Sequence, residues 1–278
     1  MNFRIQSYEE VSLWKQDAFQ YIQKNESLNN LFWQIIRNRE KSLEERWSGN
    51  VFCENKIKLS ALHTPSNFLL ISHGDLNAVD ALSKYAIEQG WNLDGLSGPE
   101  SQVKQFIKSS GLKIRSPINS SRRLFKIFQT NIDGEEFVNE EYHLSPVRAI
   151  DWPKARIWAQ QFAIESEYSM DVTGIVQMAK QMNSAKNLFM LTDSQNYPCA
   201  MAGFGRSTDR FRVINMVYVP KGLRAQGMAR ELIIRLTKHA RKQGYEQCLL
   251  FSEWMGKRNL YEAMGCRKIG TFMECDLA

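Results

Sequence analysis

The sequence predicts an α/β (α+β) protein with two domains. The chain has 278 residues, and a domain usually takes roughly 100–200 residues. Its composition, 43% hydrophobic and 24% charged, is that of an ordinary globular protein and excludes a wholly disordered or fibrous chain. The polar, turn-forming run at 131–136 lies near the middle. We therefore place the domain boundary there, which gives domains at 1–138 and 139–278.

The first half is predicted to consist of helices followed by short strands. Apolar residues recur at helical spacing throughout 8–46, with a break at Asn25 to Ser27. The further predicted elements are strands at 50–54, 56–64 and 68–72, helices at 76–89 and 99–110, and a strand at 123–130. This half is electrically neutral and contains no motif to which we assign chemistry.

The second half has a clearer order of elements, which is β-α-α-β-β-β-α-β-α-β. The strands are predicted at 141–149, 187–193, 197–205, 211–219, 246–252 and 267–275. The helices are predicted at 152–168, 171–184, from the turn after 220 to Gly244, and at 256–264. We identify no internal sequence repeat.

The positive charge is concentrated in one segment. The net charge is +6, from 36 basic and 30 acidic residues, and residues 1–140 hold 17 of each. Within 206–242 there are ten basic residues and two acidic ones, Asp209 and Glu231. A surplus of this kind attracts nucleic acid, a membrane surface or an anionic small molecule. Its local character favours the small molecule.

Other classes of protein lack support in the sequence. The five cysteines and four histidines are scattered without zinc-site spacing, so we expect no metal, and we expect Cys248 and Cys266 to be buried thiols. The chain has no apolar run of about 18 residues and no signal-peptide pattern at its N-terminus. We expect a soluble, cytoplasmic protein without a membrane partner.

The informative segment runs from Val213 to Ala229. It begins as an alternating strand, passes Pro220 into a basic turn containing Gly227, and continues as an amphipathic helix. A helix N-terminus presents unpaired N–H groups and the positive end of the helix dipole, and Arg224 adds charge. The geometry predicts a site for a phosphate-bearing ligand. The motifs GxGxxG and GxxxxGK[ST] are absent.

The sequence Arg224-x-x-Gly227-x-Ala229 after this strand resembles the acetyl-CoA signature of the GNAT acyltransferase superfamily. Asn259-x-Tyr261-x-x-x-Gly265 before the last strand is similar to that family's closing element. The resemblance implies a GNAT fold for 139–278, with a mixed, mostly antiparallel sheet flanked by helices. A degenerate fold of the same kind is one alternative for the first half, which would then cover one side of the acceptor slot.

The resemblance also implies roles for individual residues. The pantetheine arm would pair with the backbone of a bulged strand, at Met216, Val217, Tyr218 and Val219. The pyrophosphate would lie on the backbone N–H groups of Arg224, Ala225, Gln226, Gly227, Met228 and Ala229. Lys221 or Arg230 would reach the remaining phosphates. Asn259 would bind the pantetheine region, and Tyr261 would act as the general acid that protonates the leaving thiolate.

The general base is left open. The strand that bears the pantetheine site has Asn215 where many relatives carry a glutamate. Glu253, Glu165 and Glu167 are candidates, and a water chain is a further alternative. Asn259 lies closer to Tyr261 than is usual in the family, so Arg258 is an alternative to it. Cys266 replaces the usual aromatic residue after Gly265.

These observations predict an N-acetyltransferase that transfers acetyl from acetyl-CoA to a primary amine of a small molecule or peptide. The alternative is a non-catalytic acyl-CoA-binding or regulatory module, in which Tyr261 is only a core residue and Gly227 only a helix start. Nucleic-acid binding through the basic segment is a third, less favoured reading. The sequence leaves open the acceptor, the acyl chain length and whether the protein forms a homodimer.

Overall fold

The computed structural model describes residues 2–37, 47–64, 66–131, 138–166, 168, 170–256 and 259–278. The chain forms two compact units. Unit 1 comprises Met1–Ile127 and Ile269–Ala278, and unit 2 comprises Phe128–Lys268. The predicted boundary turn at 131–136 lies almost entirely outside the described residues, so domain limits at 138 and 139 stay a prediction.

Unit 1 begins with a strand and two helices and continues as a sheet with crossover helices. Its elements are β1 (Arg4–Tyr8), α1 (Val11–Lys24), α2 (Asn30–Arg37), β2 (Ser48–Cys53), β3 (Lys56–His63), β4 (Phe68–Ile71), α3 (Leu76–Glu88), β5 (Gly95–Pro99), α4 (Glu100–Ser110), the short α5 (Ile118–Ser121) and β6 (Arg122–Gln129). The apolar periodicity of α1 is confirmed, because Val11, Trp14, Ala18 and Ile22 are all buried.

Unit 2 contains the elements that carry the motifs. They are β7 (His143–Pro146), α6 (Trp152–Ile164), α7 (Val172–Ser184), β8 (Leu188–Thr192), β9 (Pro198–Ser207), β10 (Phe211–Tyr218), α8 (Met228–Lys242), β11 (Gln247–Ser252) and α9 (Leu260–Ala263). The last strand of the chain, β12 (Arg267–Asp276), lies mostly in unit 1.

The sheet of each unit is mixed and mostly antiparallel, as predicted. In unit 1 the strand order is β1-β2-β3-β4-β5-β12-β6, and β4 and β5 are parallel. In unit 2 the order is β11-β10-β9-β8-β7, and β10 and β11 are parallel. Helix α8 packs on one face of the unit 2 sheet through buried residues such as Leu232, Ile233 and Leu236. Helices α6 and α7 pack on the opposite face.

The two units repeat one order of elements. Both follow β-α-α-β-β-β-α-β, and in both the parallel pair flanks the helix that follows the fourth strand. The sequence showed no repeat because the order is encoded by hydrophobic periodicity and turn positions, which very different residues can satisfy. The first half therefore has the same kind of fold as the second.

Two strands were missed by the sequence analysis, and some predicted elements are shorter. The missed strands are β1 and β5, and β5 has the composition Gly-Leu-Ser-Gly-Pro, which lacks β-branched and aromatic residues. The helix predicted to reach residue 46 is described to Arg37, and 38–46 lie outside the described residues. The helix predicted at 256–264 is one turn, Leu260–Ala263. No helix among the described residues is long and apolar enough to span a membrane.

Candidate active site

The parallel strands β10 and β11 separate partway along their length. Their pairing runs from Phe211 opposite Gln247 to Ile214 opposite Leu250, whereas β10 continues to Tyr218. The register of β10 with β9 shifts between Asn215 and Tyr218, and Met216 has a φ of 53°. This is a β-bulge, which bends a strand and breaks its ladder. After Met216 the backbone of β10 therefore diverges from its parallel neighbour β11. We call this separation of the two strands the fork.

The connection from β10 to α8 is exposed and ends in an uncapped helix. Lys221–Leu223 form a 3-10 turn, Ala225 has a φ of 62° and Gly227, the N-cap residue, has a φ of 84°. The N-cap glycine has no side chain with which to cap α8, and a Cβ added at Gly227 would meet no described atom within 4 Å. Glycine is therefore required here by backbone conformation and not by crowding. The first N–H groups of α8 are available to an anion.

Arg224 is exposed, but its guanidinium also contacts neighbouring groups of unit 2. Its Nε donates to the carbonyl of Val219 at 2.9 Å, and its guanidinium pairs with the carboxylate of Glu165. The guanidinium carbon also lies 5.8 Å from the ring centroid of Tyr218. The side chain is 46% exposed, so it can exchange this partner for a phosphate.

Glu165 is held as an anion at the end of α6. Partial burial raises its pKa, but hydrogen bonds from Arg224 and Tyr218 outweigh this and lower the pKa below its usual value. The Tyr218 hydroxyl lies 2.9 Å from Gln161 Oε1 and 3.1 Å from Glu165 Oε1. Burial, followed by the hydrogen bond to Glu165, raises the pKa of Tyr218. A carboxylate with a lowered pKa is a weaker proton acceptor, which disfavours Glu165 as the base.

Tyr261 lies in α9, with its ring against the core of unit 2. The ring packs edge-on to Phe128 at a centroid distance of 5.5 Å. Burial raises the pKa of Tyr261 well above its usual value. Among the residues that the structure describes, none hydrogen-bonds its hydroxyl. The phenol is thus protonated at neutral pH and has its proton available for donation.

Asn259 has a structural role at the start of α9. Its Oδ1 accepts from the backbone N–H of Tyr261 at 2.8 Å, and its Nδ2 donates to Ser252 Oγ at 2.7 Å. The residue is only 4% exposed. Asn259 therefore ties the end of β11 to α9 and orients the turn that carries Tyr261.

Glu253 follows β11 directly and is partly buried. Ser166 donates a hydrogen bond from Oγ to Glu253 Oε2 at 2.7 Å. Sequence reasoning missed Ser166, since the two residues are 87 positions apart and neither belongs to a motif. Glu167 and Arg258, the other candidates from the sequence, lie outside the described residues.

Part of the positive charge on α8 is used within unit 2. Arg235 pairs with Glu231 and donates to the carbonyl of Asn139 at 2.7 Å. Lys221 and Arg230, in contrast, are exposed at the start of the helix. Lys221 and Arg230 therefore place part of the solvent-facing charge close to the N-terminus of α8, and Lys242 is exposed at its C-terminal end.

The cysteines are all buried, as expected for Cys248 and Cys266. Burial raises the pKa of the Cys248 thiol to about 12, which keeps it protonated and unreactive. In the described part of the chain, no group of three or more His, Cys, Asp or Glu residues is placed to hold a metal ion.

A family model described as an acetyltransferase (GNAT) domain matches residues 164–275. The search of curated proteins found no match. Among solved structures, a GCN5-related N-acetyltransferase from Sphaerobacter thermophilus has a TM-score of 0.61 at 10% identity, covering 99% of this chain and 95% of that one. A GNAT-family acetyltransferase from Colwellia psychrerythraea has a TM-score of 0.55 at 12% identity, covering 99% and 100%.

At these identities the structural likeness shows the fold alone, and that fold covers both units. It agrees with the repeated order of elements and with the parallel strand pair in each unit. The fork of β10 from β11 and the exposed α8 N-terminus lie within the region that the family model matches. Residues 164–275 are therefore a domain of the GNAT acetyltransferase family.

Proposed function

We propose that this protein is an N-acetyltransferase that transfers acetyl from acetyl-CoA to a primary amine. The observation that carries the proposal is the bulge at Met216, which opens β10 from β11 immediately before the uncapped N-terminus of α8. An extended pantetheine arm needs unpaired strand backbone, and a pyrophosphate needs free N–H groups and positive potential. Both features occur in sequence along one connection of the chain.

In this proposal the cosubstrate lies along residues 216–229. Its pantetheine amides pair with the backbone from Met216 to Val219, and its pyrophosphate accepts from N–H groups between Arg224 and Ala229. Arg224 leaves Glu165 and pairs with a phosphate, a better partner because a guanidinium can bind it in a bidentate manner. Lys221 and Arg230 add positive electrostatic potential and contact the phosphates at the edge of the site.

The reaction is a direct transfer. The neutral amine nitrogen attacks the thioester carbonyl carbon, and the carbonyl π electrons move to oxygen, where a backbone N–H near Val217 stabilises the oxyanion. The intermediate collapses with cleavage of the C–S bond. The Tyr261 hydroxyl gives its proton to the departing sulfur, and the amine proton passes to the base. The products are the amide and CoA thiol.

We assign the base to Glu253, acting directly or through water. Its carboxylate is oriented by Ser166 and follows β11 at the fork. Glu165 is the weaker candidate because Arg224 and Tyr218 stabilise its charged form. The tyrosinate formed by Tyr261 can recover its proton from solvent or from the base once the products leave.

The first experiment is mass spectrometry of the purified protein under native conditions, followed by an amine panel with detection of released thiol. The proposal expects a bound CoA species and an amine that accelerates thiol release from acetyl-CoA. A bound CoA with no turnover against any amine in the panel would favour a non-catalytic acyl-CoA-binding module. Binding of neither CoA nor acetyl-CoA would overturn both interpretations.

A further inference from the structure

Unit 1 contains an open cavity of about 550 Å³ that involves none of the motif residues. Leu31 and Ile35 on α2 form one wall, and Phe68 and Leu70 on β4 form another. Ser97 on β5 lies between them. Small-molecule sites commonly enclose roughly 300–1,000 Å³ and are mostly apolar with a few convergent polar groups. The cavity has that size, and its lining combines apolar side chains with polar and charged ones.

The cavity exists because β5 carries small side chains. In the sheet Leu70 is opposite Ser97, and Ser97 is opposite Glu274 on β12. A Cβ added at Gly95 would lie 2.3 Å from the Phe68 ring, so that ring lies over the glycine. Phe68 therefore fills the space at Gly95, and Ser97 is the β5 residue whose small side chain leaves the cavity open. The same composition that hid β5 from sequence analysis forms the floor of the cavity.

The far wall of the cavity carries an excess of negative charge. Arg123 lies 3.0 Å from a carboxylate oxygen of Glu274 and 3.6 Å from one of Asp276. One guanidinium faces two carboxylates, so the group has a net charge of −1 when all three are ionised. Burial raises the pKa of Glu274, and Asp276 adds to this although Arg123 opposes it. One further positive charge would make the group of Arg123, Glu274 and Asp276 electrically neutral.

Ser97 supplies a second, independent observation. It is only 6% exposed and lines the cavity. Its hydroxyl makes no hydrogen bond with any residue in the described ranges. The hydroxyl can therefore bond a donor or acceptor on a ligand in the cavity.

Unit 1 is not equipped to bind CoA in the manner proposed for unit 2. Residues 72–75 alone connect β4 to α3, and Asp75 caps α3 by accepting from Asn77 N at 2.8 Å. That carboxylate occupies the position where an anion would bind and repels it. Gly74 is packed so closely that a Cβ would lie 2.4 Å from the Lys58 carbonyl oxygen. The β4–α3 connection therefore does not offer unit 1 the anion site proposed for unit 2.

We propose that unit 1 binds a small organic cation, a primary amine on an apolar body, in this cavity. The ammonium group pairs with Glu274 and Asp276 and donates to Ser97 Oγ, while the body packs against Leu31, Ile35, Phe68 and Leu70. The ammonium supplies the missing positive charge, and the hydroxyl gains its partner. This inference does not depend on the acetyl transfer proposed for unit 2.

The test is calorimetry on the full chain with phenethylamine as probe, in the absence of acetyl-CoA. The neutral isostere 2-phenylethanol and the anion 3-phenylpropionate serve as comparison ligands. We expect saturable binding of phenethylamine, with 2-phenylethanol at least about tenfold weaker, the loss expected for one charge-assisted hydrogen bond. No saturable binding of phenethylamine, or equal or tighter binding of either comparison ligand, would overturn the proposal.

Two variants locate the site. Glu274→Gln should weaken phenethylamine binding about tenfold, and Ser97→Leu should abolish it by filling the floor of the cavity. Glu100→Gln, which changes an ion pair with Lys104 in the same unit, is the matched control and should bind like wild type. Unchanged affinity in Glu274→Gln would contradict the assignment. If Ser97→Leu does not fold, the comparison of the three ligands on wild type and Glu274→Gln still decides it.

Discussion

Arg224 and Glu165, 59 positions apart in the chain, form an ion pair between the turn before α8 and the end of α6. The pair involves the arginine that we propose binds a phosphate of the cosubstrate. In this conformation the Arg224 guanidinium forms its ion pair with Glu165, and a phosphate would have to replace that carboxylate. In the proposed function, the carboxylate therefore competes with the cosubstrate for Arg224.

That competition predicts opposite effects of two substitutions on CoA affinity. Glu165→Gln should tighten CoA binding a few-fold, because the guanidinium no longer has to leave a charged partner. Arg224→Ala should weaken it by about tenfold, the effect of one charge-assisted hydrogen bond. Titration calorimetry with CoA measures both. Equal affinity in Arg224→Ala and wild type would remove Arg224 from the site.

The positive φ at Gly227 predicts a loss of CoA affinity that can be measured separately from a loss of stability. A non-glycine residue with positive φ costs about 1–2 kcal/mol, so Gly227→Ala should lose that much unfolding free energy and bind CoA more weakly. Gly90→Ala is the matched control, since Gly90 also has a positive φ (64°) and open space around it but lies in unit 1. It should show the same stability loss by denaturant unfolding, with CoA affinity unchanged. A similar loss of CoA affinity in both variants would contradict the proposed pyrophosphate site.

The Tyr261 hydroxyl, to which no described residue hydrogen-bonds, predicts a defect in turnover alone. Tyr261→Phe removes the proton donor but keeps the ring against Phe128, so turnover should fall about 100-fold or more while the affinity for CoA is nearly unchanged. Tyr197→Phe, at a tyrosine that is 64% exposed, should behave like wild type. Turnover equal to wild type in Tyr261→Phe would exclude the tyrosine from the mechanism.

The pH profile tests the same assignment in the wild type. Burial raises the pKa of Tyr261 above the ordinary value of about 10. The Tyr261 phenol therefore stays protonated as the pH rises through 8 and 9. In that range Tyr261 should cause no alkaline decline in kcat. An alkaline limb below about pH 10 that is present in wild type and absent in Tyr261→Phe would show that the pKa is not raised.

Because Asn259 caps α9, its substitution should lower both stability and activity. Asn259→Ala removes the bonds to Tyr261 N and Ser252 Oγ and should cost about 1 kcal/mol of stability. It should also lower turnover, because the turn that holds Tyr261 is released. Asp171→Ala removes the cap of α7, where the side chain accepts from Thr173 and Gly174, and should cost similar stability with little change in turnover. Comparable turnover losses in the two variants would mean that Asn259 acts only through general stability.

The assignment of the base to Glu253 predicts a large effect on kcat/KM. Glu253→Gln keeps the size of the side chain and its contact with Ser166 but cannot take a proton, so kcat/KM for the amine should fall about 100-fold. Glu246→Gln, at a carboxylate paired with Arg210 on the surface, is the control and should stay near wild type. A fall of less than a few-fold in Glu253→Gln would transfer the role to water or to another carboxylate.

The sequence was most informative where local pattern determines structure. The amphipathic pattern of α8 and the Arg224 to Ala229 turn predicted a strand, a turn and a helix, and all three are present. The apolar periodicity within 8–46 likewise predicted a helix, and α1 is present with its recurring apolar residues Val11, Trp14, Ala18 and Ile22 buried. These features depend on near neighbours in the chain, so one sequence suffices to predict them.

The features that escaped prediction depend on distant parts of the chain. β5 is a strand because Phe68 to Leu70 and Phe272 to Asp276 pair with it on either side, not because its own residues favour extension. The contact of Ser166 with Glu253 and the ion pair of Arg224 with Glu165 are likewise set by how α6 packs in unit 2. Local propensity contains no information on such pairings.

We propose that one acyl-CoA binds along the connection from β10 to α8, and only in unit 2. Titration calorimetry of the wild-type chain with acetyl-CoA tests it most directly. The expected result is saturable binding with a stoichiometry of one per chain, which Gly227→Ala weakens and Gly90→Ala does not. Absence of binding, or two equivalent sites per chain, would contradict the account.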